Sequence, residues 1–166
     1  MGLSTSFASH PASADRPSIV TRLQNDRLTA SDLDAHVDRL CLEHGVERLT
    51  GTRHGVAFHV GPAGRRRPCI RIPPVKSQVT YAIALHELGH LVGRGRSGTR
   101  LEKEAAAWRW ALANSVVELN ETARRSAGRR LRSYVRWAET RQHRKRPPRL
   151  PGADSSFWSL LAELEA

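Results

Sequence analysis

The sequence predicts an α+β fold: a small antiparallel sheet packed on several helices. Three observations predict it. Short β-like runs bounded by Gly and Pro cluster between residues 46 and 72. Stretches with apolar residues at helical spacing lie on both sides of them. The run from Ser77 to Val92 is apolar nearly all round, which marks a buried central helix. At 166 residues the chain has single-domain length, and its 39% hydrophobic content leaves part of it outside the core.

Residues 1–18 are rich in Ser, Ala and Pro and lack the apolar stretch of a secretory signal. They are expected to form a disordered N-terminal tail. Residues 19–142 are expected to form the main domain, 143–154 a basic, Pro-containing linker, and 155–166 a short C-terminal helix. Residues 18–30 could add a helical turn. The first full helix is expected at Ser31-Asp32-Leu33-Asp34, with Ser31 as N-cap and Asp34 reaching back. Leu33, Val37, Leu40 and Cys41 share its apolar face, and Gly45 stops it.

Strands follow at Val46–Thr50, Val56–Val60 and Cys69–Ile72, separated by turns at His54-Gly55 and Gly61-Pro62. Pro73-Pro74 ends the third. If the Cys69–Ile72 strand lies at a sheet edge, it could pair with an extended peptide. The central helix then runs to Gly93. Gly93 to Gly98 spells G-x-G-x-x-G, but a helix precedes it and no βαβ unit surrounds it, so it reads as a turn. Thr99-Arg100-Leu101-Glu102 is a capping box that opens a helix reaching Leu119. Another helix spans Glu121 to Gln142. Phe157, Trp158, Leu160, Leu161 and Leu164 give the last segment an apolar face, which is expected to fold back onto the domain.

Inside the central helix, His86-Glu87-Leu88-Gly89-His90 spells H-E-x-x-H. Residues i and i+4 lie one turn apart on one helix face, so His86 and His90 can aim two imidazoles at one ion. Zinc accepts such nitrogens readily. Glu87 is one residue further round, placed to act on a water without ligating the metal. Burying these polar groups without partners would be costly, and a metal supplies the partners. A third ligand is needed. Gly93 fits the astacin-like continuation, but Arg96 stands where its third histidine belongs, and a permanent cation cannot ligate zinc. A downstream carboxylate is expected instead: Glu104, on a face with Trp108 and Ala111, with Glu102 as the alternative. The fourth position stays open, as catalysis requires. Glu87 is the expected general base, and Tyr134, His143, His54 and His59 are candidates to stabilise an oxyanion.

His86–His90 followed by Leu101-Glu102-Lys103-Glu104-Ala105-Ala106-Ala107-Trp108-Arg109-Trp110-Ala111 resembles the ImmA/IrrE-type zinc metallopeptidases. These are small gluzincin-like proteins often found with phage, plasmid and integrative elements. Their pattern is HExxH, then a helix bearing an acidic residue followed by small residues and an aromatic. The resemblance covers roughly residues 46–120. It implies a cytoplasmic peptidase that acts on a protein partner such as a transcriptional repressor. Two reduced thiols, Cys41 and Cys69, suit that compartment, and no run reaches transmembrane length.

Charge is the second large feature. The net charge is +11, and between residues 121 and 149 only Glu121 and Glu139 oppose a concentration of arginines. Arg125, Arg129, Arg132 and Arg136 recur at helical spacing as a stripe. Such a stripe could contact nucleic acid or an acidic protein. Lys76, Lys103 and Lys145 are the only lysines among 27 basic residues, a bias that genome composition alone can produce. The rival functional expectation is therefore a basic nucleic-acid- or protein-binding accessory protein whose zinc site is structural or inactive.

Overall fold

The computed structural model describes residues 28–51, 54–93 and 98–166; the expected tail (1–18) and the part of the 18–30 turn before residue 28 lie outside them. The architecture is α+β. In chain order the described elements are α1 (Ala30–Glu43), β1 (Glu47–Thr50), β2 (Val56–Val60), β3 (Arg67–Ile72), α2 (Gln78–Val92), α3 (Arg100–Ala113), α4 (Glu121–Glu139) and α5 (Ser156–Glu165). None of these helices is long and apolar enough to cross a membrane.

Side chains at the helix ends fix where each helix begins. Ser77 caps α2 in a reciprocal box with Thr80, and Thr99 caps α3 in one with Glu102. Asn120 caps α4 by accepting from the Ala123 N–H at 2.9 Å. The α1 cap differs from expectation by two residues. Thr29 and Asp32 form the box, because Asp34 is held elsewhere, by the Arg48 guanidinium of β1. Gly45 follows the last turn with φ +62°, the left-handed conformation that ends a helix. α3 stops at Ala113 rather than Leu119. Beyond it the Ser115 hydroxyl bonds the Val117 carbonyl and the Val116 N–H bonds the Tyr81 hydroxyl, so side chains replace helical partners. α4 ends at Glu139, three residues before Gln142.

The sheet is mixed, not antiparallel. Its order is β1-β3-β2, with β1 parallel and β2 antiparallel to β3. The chain reverses between β1 and β2 and again between β2 and β3, so β1 and β3 run the same way. β3, at the centre, is the most buried strand: Cys69, Ile70 and Ile72 are all buried. The Cys69–Ile72 run is therefore not an edge; among the described residues β1 and β2 are.

α2 is the hub. It packs against α1, α3, α4, β2 and β3, and Tyr81, Leu85 and Leu88 are fully buried. α5 folds back on α4 and α3, burying Phe157, Leu160, Leu161 and Leu164. The Arg124 guanidinium donates to the Glu163 carbonyl at 2.9 Å, and Arg132 pairs with Glu165. α2 and α3 cross closely at Gly89. A Cβ there would lie 2.5 Å from the Ala107 carbonyl oxygen and 3.0 Å from its Cα. Gly89→Ala would gain about 1 kcal/mol of helix propensity. The colliding atoms are backbone, however, and overpacking of this kind costs roughly 1–3 kcal/mol. The clash should win: Gly89→Ala is expected to lower the thermal midpoint, and an unchanged or higher midpoint would refute the close crossing.

Candidate metal centre

The Ser77 cap sets the phase of α2, which turns His86 and His90 to one side and Glu87 next to them. The Thr99 box sets the phase of α3, so that Glu104, Trp108 and Ala111 fall on its inner face, all buried. The crossing at Gly89 brings the two faces together. The His86 and His90 Nε2 atoms are 3.1 Å apart, and each is 3.3 Å from Glu104 Oε2. Donors about 2.0–2.1 Å from a tetrahedral ion are separated by about 3.3 Å, which these edges approach. Glu104 Oε2 is buried between the two imidazole nitrogens. The three ligand atoms converge on one point, and His86, His90 and Glu104 could hold a metal ion.

Local packing fixes the donors. The Trp108 ring stacks on the His86 imidazole, centroids 4.2 Å apart and planes 20° apart. Glu102, the alternative ligand, is occupied: its carboxylate accepts from the Thr99 N–H at 2.7 Å. It lies outside the donor cluster.

Burial and charge set the protonation states of the metal-free site. Burial pushes the His86 imidazole down to about 4. Burial also works against the Glu104 carboxylate, but the two imidazoles beside it win and hold it at about 2. For His90, burial opposes the cation, yet the Glu104 carboxylate, with Glu87, outweighs it and raises the pKa. Burial drives Glu87 up to about 7, helped by the Glu104 charge and opposed by His90, Arg130 and the Ala57 N–H. Glu87 has space because residue 55 is glycine: a Cβ there would sit 2.5 Å from Glu87 Cγ.

Donors and Glu87 face a cleft of about 620 Å³. Val56 and Ala57 of the edge strand β2 form one wall, and Arg100, Arg130 and Tyr134 form another. Of the oxyanion candidates, Tyr134 lines the cleft and feels the Glu104 charge, and His54 and His59 are exposed at its border. His143 is exposed beyond the end of α4 and is not part of the cleft. Sequence reasoning missed Arg130 and Arg100 as site residues. Arg130 had a signal, since it precedes Tyr134 by one helical turn. In the arginine stripe, Arg125 pairs with Glu121 at 2.5 Å and Arg132 with Glu165, while Arg129 and Arg136 are exposed. No protein-family model, curated protein or solved structure matches the chain.

Elemental analysis should find about one metal ion per purified chain. Glu104→Gln and His86→Ala are expected to lose it. Glu102→Gln should keep it and lose only about 1 kcal/mol of helix capping. The opposite pattern for the two glutamates would reassign the ligand. The pH dependence follows from the protonation states. A metal must displace whatever protons its ligands hold. Above pH about 5 the Glu104 carboxylate and His86 imidazole are bare, and only His90, with its raised pKa, still binds a proton. Metal affinity should therefore fall about tenfold per unit as pH drops from about 7 to 5, read by competition with a chromogenic chelator. A slope of two protons would mean that a second group gives up its proton as well, and Glu87, raised to about 7, is the group in that range.

Proposed function

We propose that this chain is a zinc-dependent metallopeptidase of the ImmA/IrrE type, a hydrolase cutting a peptide bond in a protein partner. The observation that carries this reading is the position of Glu87: a buried carboxyl beside the donor triangle, facing the cleft, where it can act on a water at the open metal position. The donor set supports zinc, since two imidazoles and one carboxylate are a common catalytic zinc shell. A structural zinc site is closed by four protein ligands, and among the described residues three donors converge here.

Zinc, when bound, supplies Lewis acidity toward a carbonyl oxygen and makes water acidic near neutral pH. The chain's own residues supply the rest. Glu87 takes a proton from the attacking water and passes it to the leaving amine. Arg130 and Tyr134 border the same cleft and can donate hydrogen bonds to the developing oxyanion. The exposed backbone of β2 offers a template for an extended peptide beside Glu87, the role that β3 cannot fill from the sheet centre. The resemblance to ImmA/IrrE proteins adds the partner class, a transcriptional regulator of a mobile element, and a cytoplasmic setting.

Glu87→Gln separates this reading from that of a basic binding protein with an inactive zinc site. The variant should keep fold and metal and reduce cleavage of a peptide mixture, followed by mass spectrometry, by roughly 10²–10⁴-fold. Metal-loaded wild type that yields no products across such a mixture would sink the peptidase reading.

A further inference from the structure

A second cavity, about 730 Å³, opens beside the metal cleft. Arg100, Arg141, Arg144, Arg146 and Arg149 line it, around Trp137. Its one carboxylate, Glu102, is committed to the Thr99 cap. None of these arginines forms an ion pair among the described residues. Like charges gathered around one concavity lower stability until an anion neutralises them. Two of them are already oriented: the Arg100 and Arg141 guanidinium carbons lie 4.8 and 5.2 Å from the Trp137 ring centre. Arg141 is further held by donating to the Trp137 carbonyl at 3.2 Å.

We infer that this cavity binds an acidic segment of the polypeptide cut at the metal centre. The inference rests on the peptidase reading and names the substrate class. Continuity supports it, because Arg100 lines both cavities and its charge reaches His90. A chain lying in the cleft can thus place a neighbouring stretch among the arginines. The chemistry selects carboxylates: a guanidinium fork matches a carboxylate with two parallel hydrogen bonds. Nucleic acid is the poorer fit. The Trp137 ring, which a base would stack on, is already covered by guanidinium groups. The stripe on α4 that could track a phosphate backbone has Arg125 and Arg132 engaged by Glu121 and Glu165.

The test uses full-length protein carrying Glu87→Gln, so that no probe is consumed, and a fluorescein-labelled octaglutamate peptide read by anisotropy. Two variants remove the same number of charges. One carries Arg144→Ala, Arg146→Ala and Arg149→Ala; the other carries Arg125→Ala, Arg129→Ala and Arg136→Ala. The pocket variant should weaken binding at least roughly tenfold and the stripe variant by less than about twofold. Equal losses, or no binding by the parent protein, overturn the inference, because net charge alone would then explain the result. A single-stranded oligonucleotide that binds more tightly and depends on the same three arginines also overturns it in favour of nucleic acid. The active enzyme supplies the second readout. Products from a peptide mixture should be enriched for Asp and Glu on one side of the cut, and the pocket variant should lose that enrichment. Cleavage without enrichment overturns the inference and leaves the peptidase reading standing. Octaglutamate binding without any cleavage does the reverse, leaving an acidic-peptide site and removing the peptidase.

Discussion

The contact between Gly89 and Ala107 decides whether the metal group exists at all. The two histidines belong to α2 and the carboxylate to α3, and neither helix alone can gather three donors. Each donor edge is 3.1–3.3 Å, so a shift of one helix by an ångström would open the triangle. Glycine at 89 lets the helices approach until the next atom is the Ala107 carbonyl. The small residues Ala105, Ala107 and Ala111 keep the α3 side of the crossing thin, and all are buried. The x in H-E-x-x-H that precedes the second histidine is therefore not free here; it is occupied by the one residue that permits the crossing.

Much of this was legible in the sequence where the signal was local. The α3 capping box not only places the helix start but also removes Glu102 from contention, because a carboxylate bonded to its own helix end cannot also ligate. That left Glu104, one turn from Trp108. The all-round apolar character of α2 announced a buried hub, and the amphipathic last segment announced α5. What was not legible depends on distance. Ser31 and Thr29 are equally good N-caps by type, and Arg48, fourteen residues after Asp34, tips the choice by occupying that carboxylate. The order β1-β3-β2 follows from which strand can bury both faces, a property of the assembled layers rather than of any strand. The α3 boundary is set by the Tyr81 hydroxyl, which lies 35 residues away in sequence.

Charge is where composition misleads most. The arginine stripe on α4 suggests one function for one face, yet the helix divides its arginines among three surroundings. Arg130 and Tyr134 border the metal cleft. Arg124 and Arg132 hold the end of α5, one through a carbonyl and one through Glu165, where a cation also complements the negative end of a helix. Arg125, Arg129 and Arg136 remain exposed, Arg125 against Glu121 of the same helix. Between these lies the apolar face of Ala123, Ala127, Leu131, Val135 and Ala138. A net charge of +11 is thus spread over arginines that hold the architecture together, arginines that border the two cavities and arginines on the open surface.

The centre sets burial against charge: burial alone would neutralise Glu104, and the two imidazoles beside it keep it ionised. The buried His86 Nδ1, without a hydrogen-bond partner among the described residues, forfeits solvation that it has in the unfolded chain. His86 is oriented by stacking on Trp108 instead of by a hydrogen bond from its far nitrogen, which is how metal-bound imidazoles are more often fixed. Stacking holds the ring plane but does nothing for the stranded donor. An ion held by His86, His90 and Glu104 would stabilise the folded chain, and metal binding and folding would then be coupled. The same burial that strands the His86 Nδ1 also surrounds Glu87 and lifts its pKa to about 7. A more solvated site would be easier to fold and would leave Glu87 an ordinary, weakly basic carboxylate.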